Sequence, residues 1–215
     1  NIWTAMQLSS RLPKGALFHM GVSNTRRCWN MFQLPESVES ACNVGCCGID
    51  GCVSTLVGAS LVNPDRLCYV VVGDLTFFYD LNSLGNHHIG TNLRVMLVNN
   101  GRGTEFRLGI HHCNVFGDDA DKYMAAAGHF GNKSPLLVKH YAEDLGFHYL
   151  SATTKEEFMT ALSNFTNPQL SDHSMILEVF TDSKDESEAL YLMSHIQSDA
   201  KGMVRSKLKD AVRNV

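Results

Sequence analysis

The stretch from Gly73 to Asn100 constrains the fold more than any other part of the chain. It opens at the end of an apolar run, Leu67 to Val72, which reads as a strand buried on both faces. Gly73-Asp74-Leu75-Thr76 follows as a tight turn carrying a carboxylate and a hydroxyl. Phe77 to His88 then has helical apolar spacing. A second apolar run, Leu93 to Val98, ends on Asn99-Asn100-Gly101. The pattern predicts one βαβ unit with oxygen ligands at the carboxyl ends of both strands.

In a parallel unit both strand ends open on the same edge of the sheet, where ligands bind. Asp74 and the amide oxygen of Asn100 are therefore expected to converge. A hard cation such as Mg²⁺ takes carboxylate, amide and carbonyl oxygens and keeps phosphate oxygens as its remaining ligands. A helix starting near Thr76 would aim its first amides at the same place. Metal beside a helix N-terminus points to a diphosphate. An ordinary nucleotide-fold unit with polar strand ends reads from the same residues without any ligand.

The rest of the chain alternates in the same way. Ile2 to Leu12 has helical spacing closed by Pro13 and Gly15, and Ala16 to Met20 reads as a first strand. A helix is expected after Gly21-Val22-Ser23-Asn24, running through Phe32. A short strand, Ser37 to Cys42, leads to a Gly-rich segment and a helix from Cys52 to Leu61. Leu108 to Phe116, with His111 and His112, reads as a surface loop. Helices are expected over Asp118–Ala127 and Ser134–Leu145, with the polar run from Gly128 to Lys133 between them as a possible lid. His148 to Leu150 reads as a strand. Thr154 to Phe165 reads as a helix capped by Thr153 or Thr154, with Glu156 and Glu157 in its first turn. Ser174 to Phe180 is the last strand, and a helix beginning at Ser183 or Asp185 runs through His195. Such alternation predicts a doubly wound α/β fold, with a mainly parallel sheet and helices on both faces. The reading is of one domain over residues 1–215, with 199–215 as a surface extension.

Composition narrows the function. The 215 residues are 44% hydrophobic and 19% charged, as in a soluble globular chain. The net charge of −4 offers no footprint for nucleic acid. No run approaches a membrane span and no secretory leader opens the chain, so a cytoplasmic location is expected. Seven cysteines, an odd number, read as reduced thiols. Cys42, Cys46, Cys47 and Cys52 lack zinc-knuckle spacing and read as small buried hydrophobes.

Gly73-Asp74, followed 26 positions later by the second residue of an Asn-Asn pair, resembles the fingerprint of thiamin-diphosphate-dependent enzymes. The wording Val72-Gly73-Asp74-Leu75-Thr76 with Tyr79-Asp80-Leu81-Asn82-Ser83-Leu84 is similar to one branch, the 2-succinyl-5-enolpyruvyl-6-hydroxy-3-cyclohexene-1-carboxylate synthases of menaquinone biosynthesis. Gly48-Ile49-Asp50-Gly51 resembles the same branch, and Ile49 stands 25 residues before Asp74. The resemblance implies that Asp74, Asn100 and the backbone carbonyl of Arg102 ligate Mg²⁺. It implies that Leu75 and Thr76 line the diphosphate. Ile49 would wedge between the two cofactor rings, with its amide and the Cys47 carbonyl on the aminopyrimidine edge. The alternative for Ile49 is plain core packing.

The Gly-x-Ser-x-x-x-Arg run of Ser23 and Arg27 would supply substrate-carboxylate contacts, Arg through its planar fork. Otherwise Ser23 caps a helix and Arg27 is solvated. Phe106 corresponds to an aromatic at the mouth of the site. The Arg102 side chain is either exposed or turned toward acidic groups. Two positions depart from the branch: Val44 replaces an Arg that helps recognise an anionic substrate, and Glu105 replaces an apolar residue.

The resemblance covers about Leu12 to His195 and matches only the C-terminal, diphosphate-binding third of the family. It implies a carboligase of the transferase class that decarboxylates 2-oxoglutarate and adds the acyl carbanion to isochorismate. The activating glutamate would lie on a pyrimidine-binding domain of the same or a partner subunit, and nothing in this chain corresponds to it. The chain alone is then expected to be inactive, either a fragment of a longer synthase or half of a split enzyme. An abrupt start without an initiator Met favours the fragment. A homo-oligomer, dimer or tetramer, follows from shared sites in the family. Another thiamin-diphosphate-dependent 2-oxoacid decarboxylase or carboligase is the alternative, as is a non-catalytic diphosphate-binding module.

Overall fold

The computed structural model describes residues 1–108, 111–124, 129, 131 and 133–196. Six strands form one sheet: β1 (Leu17–Met20), β2 (Glu39–Cys42), β3 (Cys68–Gly73), β4 (Leu93–Asn99), β5 (His148–Ala152) and β6 (Met175–Phe180). Their order is β2-β1-β3-β4-β6-β5, and every neighbouring pair is parallel. Central and edge strands differ as burial demands. All of β4 and all of β3 except Gly73 are buried, which is why both read as unbroken apolar runs. The edge strands β2 and β5 carry exposed polar residues such as Glu39, Ser40, His148 and Ser151.

Helices cover both faces. The helices are α1 (Ile2–Ser9), α2 (Asn24–Trp29), α3 (Cys52–Val62), α4 (Asp74–Tyr79), α5 (Ala120–Tyr123), α6 (Leu137–Asp144), α7 (Lys155–Phe165) and α8 (Ser183–His195). Side chains alternate across the strands and so divide the interior. Tyr69, Val71, Met96, Val98, Leu177 and Val179 pack with Leu8, Trp29, Phe158, Phe165 and Leu190 from α1, α2, α7 and α8. Val70, Val72, Val95, Leu97 and Ile176 pack with Val53, Leu56, Phe77, Val138 and Ala142 from α3, α4 and α6. The expected doubly wound α/β fold is the one observed.

Some predicted boundaries need correction. The helix expected over Phe77–His88 is α4, which starts at Asp74 and stops at Tyr79, followed by a 3₁₀ turn at Leu81–Gly85. The Asp80 carboxylate leaves the helix to accept the Ser54 amide at 2.7 Å, and the Ser83 hydroxyl takes the Asp80 carbonyl at 2.7 Å. Polar side chains thus compete with the helical ladder and end it. The Leu108–Phe116 segment is not all loop: a 3₁₀ stretch runs over His112–Asp119, kinked at Gly117. Of the helix expected over Asp118–Ala127, α5 is what the described residues contain. Part of the suggested lid, and the extension beyond Ser198, lie outside the described residues. The α7 start matches expectation, with Thr154 and Glu157 closing a reciprocal capping box.

The topology makes a crevice. From β1 the chain turns outward to β2, whereas from β3 it turns the other way to β4. The carboxyl ends of β1 and β3 are therefore the switch point, where open α/β sheets bind ligands. Gly21 brings the two ends together: its amide donates to the Val71 carbonyl at 2.7 Å, and a Cβ there would sit 3.1 Å from that oxygen.

Candidate functional site

A cavity of about 250 Å³ opens at this edge. It is lined by Ser23 from the end of β1, by Cys47 and Ile49 from the Gly-rich segment, by Asp74, Leu75 and Thr76 after β3, and by Asn100, Arg102 and Phe106 after β4. Of the residues singled out from sequence for cofactor, metal or substrate, Arg27 and Val44 do not line it, although Arg27 reaches a lining residue, Glu105.

Asp74 is buried, and both of its oxygens are engaged. Oδ1 accepts the Leu75 amide at 2.9 Å, and Oδ2 lies 2.8 Å from His129 Nε2. His129 Nδ1 accepts the Gly131 amide at 2.9 Å, so the ring proton sits on Nε2 and is donated to Asp74. The ring also stacks at a tilt on Phe78, with centroids 5.0 Å apart. Nothing local in the sequence marks His129 as a partner of Asp74.

Asn100 is oriented from both sides. Its Nδ2 donates to Thr104 Oγ1 at 2.9 Å and to Glu186 Oε2 at 3.3 Å, which leaves Oδ1 to accept the Arg102 amide at 3.1 Å. The Arg102 carbonyl accepts the Thr104 amide at 3.1 Å and keeps a second lone pair. The Arg102 side chain combines both sequence-stated options: it is exposed, yet 3.9 Å from Asp121.

Glu186 comes from the first turn of α8 and is buried in the lining. It also accepts Asn24 Nδ2 at 3.4 Å. Burial pushes its carboxyl up, against the pull of its amide partners. Sequence reading missed Glu186, since an acidic residue in a first helical turn is equally well explained by the helix dipole.

Ser23 and Arg27 meet a carboxylate of this chain. Ser23 donates its hydroxyl to Glu105 Oε2, and Arg27 Nη2 donates to Glu105 Oε1 at 2.7 Å. Arg27 Nη1 is held by Asn24 Oδ1 at 2.9 Å. Burial alone would raise the Glu105 pKa, but hydrogen bonds from Arg27 and Ser23, with the Arg27 charge, hold it below the usual carboxylate range. The capping alternative for Ser23 fails, because its side chain makes no cap bond to α2. The solvated alternative for Arg27 fails with the ion pair.

Backbone strain gathers here as well. Among the described residues, Ser23 (φ 63°) and Cys47 (φ 52°) are the non-glycine residues with positive φ, and both line the cavity. Such conformations persist where surrounding contacts over-determine them, commonly at ligand sites. Ile49 is half-buried: it lines the cavity and packs on the α3 side of the core. The expectation of buried cysteines holds for Cys52 but not for Cys46 and Cys47, which are exposed because the Gly-rich segment runs over the surface. Phe106 lines the cavity edge-on to His111, with centroids 5.2 Å apart.

The donor set suits a hard cation. Asp74, Asn100 and the Arg102 carbonyl offer carboxylate, amide and main-chain oxygens. Among the described residues, no group of three or more His, Cys, Asp or Glu side chains is placed to hold a metal ion. Fold and site together define a doubly wound α/β fold with a cleft at its switch point that gathers Asp74, Asn100, Glu105 and Glu186.

Comparison with curated proteins carries the likeness further. The chain is 34% identical over 183 residues to a 2-succinyl-5-enolpyruvyl-6-hydroxy-3-cyclohexene-1-carboxylate synthase of Bacteroides fragilis, covering 85% of this chain and 31% of that protein. It is 34% identical over 187 residues to the synthase of Phocaeicola vulgatus, covering 86% and 31%. It is 35% identical over 187 residues to that of Christiangramia forsetii, covering 86% and 30%. No protein-family model matches. The chain is thus related by sequence to this synthase family over most of its own length, as its motifs indicate, and spans about a third of the length of these relatives.

Proposed function

We propose that the chain is the diphosphate-binding part of a thiamin-diphosphate-dependent carboligase of menaquinone biosynthesis. One observation supports this above others. The residues that the resemblance assigns to metal and cofactor, separated by up to 55 positions in sequence, line one cavity at the switch point. In this reading Asp74, Asn100 and the Arg102 carbonyl would hold Mg²⁺, and His129 would orient the Asp74 carboxylate. Leu75 and Thr76 border the diphosphate, and Ile49 supports the cofactor's bend. The cofactor when bound supplies a stabilised carbanion equivalent for decarboxylating a 2-oxoacid and transferring the acyl unit. The chain's own share is to bind, orient and shield.

The whole-protein reaction in this reading decarboxylates 2-oxoglutarate and joins the product to isochorismate. It needs the glutamate of a pyrimidine-binding domain, in the same or a partner subunit of a homo-oligomer, so this chain alone is inactive. Among the described residues no helix is long and apolar enough to cross a membrane, and a cytoplasmic location fits the reading. A second reading, a thiamin-diphosphate-dependent decarboxylase or carboligase with another substrate, is favoured by Glu105 lying on Ser23 and Arg27.

The test is calorimetric titration of the complete protein with thiamin diphosphate, with and without Mg²⁺. Asp74→Ala is expected to weaken Mg²⁺-dependent binding by at least about tenfold, since one charge-assisted contact is worth roughly 1.5–3 kcal/mol and the metal is lost with it. Unchanged affinity in a folded variant sinks the assignment.

A further inference from the structure

We infer that Glu105 is a specificity-determining residue: it fills from within a carboxylate seat built by Ser23 and Arg27, so that this site rejects a substrate carboxylate there and accepts an uncharged group. The inference rests on the proposed reading in taking the cavity as the substrate site, and it sides with the second reading, another substrate, at the Ser23–Arg27 position. The seat itself is geometry. Each Glu105 oxygen has its own donor, Ser23 on Oε2 and Arg27 on Oε1, the two-point arrangement that a bound carboxylate would adopt. Asn24 holds the other arm of the Arg27 fork, so the guanidinium is aimed whether or not Glu105 is present. Glu105 reaches across the crevice from the 3₁₀ turn Thr104–Arg107 after β4, 78 positions from Arg27. Neither partner is sealed off: their side chains remain 33% and 28% exposed.

Charge decides who can sit there. Glu105 neutralises the Arg27 guanidinium, and Asp74 lines the same cavity. An incoming carboxylate must displace Glu105 from both donors and leave that charge unpaired beside its own. An uncharged group meets no such barrier. The seat also explains why serine occupies a backbone conformation (φ 63°, ψ −133°) that suits glycine: the hydroxyl is one of the two donors.

Succinate, a plain dicarboxylate, is the probe, titrated calorimetrically into the complete protein without cofactor. Glu105→Gln and Glu105→Leu are each expected to bind succinate at least about tenfold tighter than wild type, because the freed seat regains charge-assisted bonds. Adding Arg27→Gln to either variant is expected to erase the gain. Unchanged affinity in both variants, or a gain that survives Arg27→Gln, overturns the inference. Should both variants fail to fold, the Arg27 side-chain ¹⁵N resonance of wild type decides: it stays unmoved by succinate if the seat is filled, and a saturable shift refutes the idea. Thiamin diphosphate affinity in the same preparations tests the cofactor reading separately, so loss of one result leaves the other standing.

Discussion

The two ends of the sheet hold polar residues in opposite ways. At the amino end, buried side chains tie backbone to backbone. Asn92 Nδ2 donates to the carbonyls of Ser60, Asn63 and Arg66 at 3.0–3.1 Å. The wholly buried Arg94 donates to the Thr91 and Leu93 carbonyls at 2.7 and 3.0 Å, and to Ser171 Oγ at 2.9 Å. Ser174 accepts the Leu93 amide and donates to the Gly90 carbonyl. At the carboxyl end the bonds run between side chains distant in sequence: Asp74 with His129, Glu105 with Ser23 and Arg27, Glu186 with Asn24 and Asn100. A backbone partner cannot be exchanged without unfolding a segment. A side-chain partner can be exchanged for a ligand atom, so one end is a fastening and the other a place where bonds can be traded.

If that contrast is right, the largest stability loss comes from the fastening end. Asn92→Ala removes a donor to three carbonyls around the exit of α3, and each lost bond is worth roughly 1 kcal/mol. The expected loss is on the order of 3 kcal/mol in denaturant unfolding, with the proposed Mg²⁺-dependent binding of thiamin diphosphate unaffected in the folded fraction. A loss below about 1 kcal/mol would mean that water replaces the amide and that the amino end is no firmer than the other.

The next effect lies between the ends and depends on pH. Glu178 in β6 accepts Asn99 Nδ2 at 2.7 Å and the Tyr149 hydroxyl at 2.7 Å. Burial nevertheless raises its pKa above the ordinary carboxylate range, against the pull of those two donors. The folded state therefore binds more protons than the unfolded one, and the Glu178 contribution worsens as pH rises from the ordinary carboxylate pKa upward. Tyr149→Phe removes a donor to the charged form and raises the folded pKa further. Its penalty is expected to be about 2 kcal/mol at neutral pH and to shrink as pH falls through the raised folded pKa of Glu178, a fall that is complete before the ordinary carboxylate pKa is reached. Thermal melts across that range check the sign. A penalty independent of pH would show that the tyrosine acts by packing alone.

The same contrast explains what sequence could show. β3 and β4 were legible as apolar runs because both faces of a central parallel strand are buried, and Thr154 with Glu157 announced α7 through a local bond pair. The meeting of Asp74 and Asn100 at one cavity was legible because they follow neighbouring parallel strands, whose ends share one edge of the sheet. The helix after Asp74 was overextended, since the Asp80 reach to Ser54 is a tertiary contact with no periodic signature. His129, Glu186 and the occupation of the Ser23–Arg27 seat share that character. Each is a side chain delivered by a remote segment, and its sequence neighbours give no sign of where it points. Glu105 was visible as a departure from the synthase pattern, but only the folded chain shows what its carboxylate touches.

The smallest effect sharpens the comparison most, because it separates strain from bonding at a single residue. Ser23 holds a backbone conformation that costs an L-residue about 1–3 kcal/mol, and its hydroxyl bonds Glu105. Ser23→Ala keeps the Cβ and the strain while deleting the donor. Ser23→Gly deletes both, at a cost of roughly 0.5–1 kcal/mol in unfolded-chain entropy. Both variants lose the same hydrogen bond, so their difference isolates the backbone. Ser23→Gly is expected to be more stable than Ser23→Ala by about 1 kcal/mol in denaturant unfolding. Equal stabilities would mean that the crevice imposes no strain at this position, and that the serine sits at the edge of β1 for its hydroxyl alone.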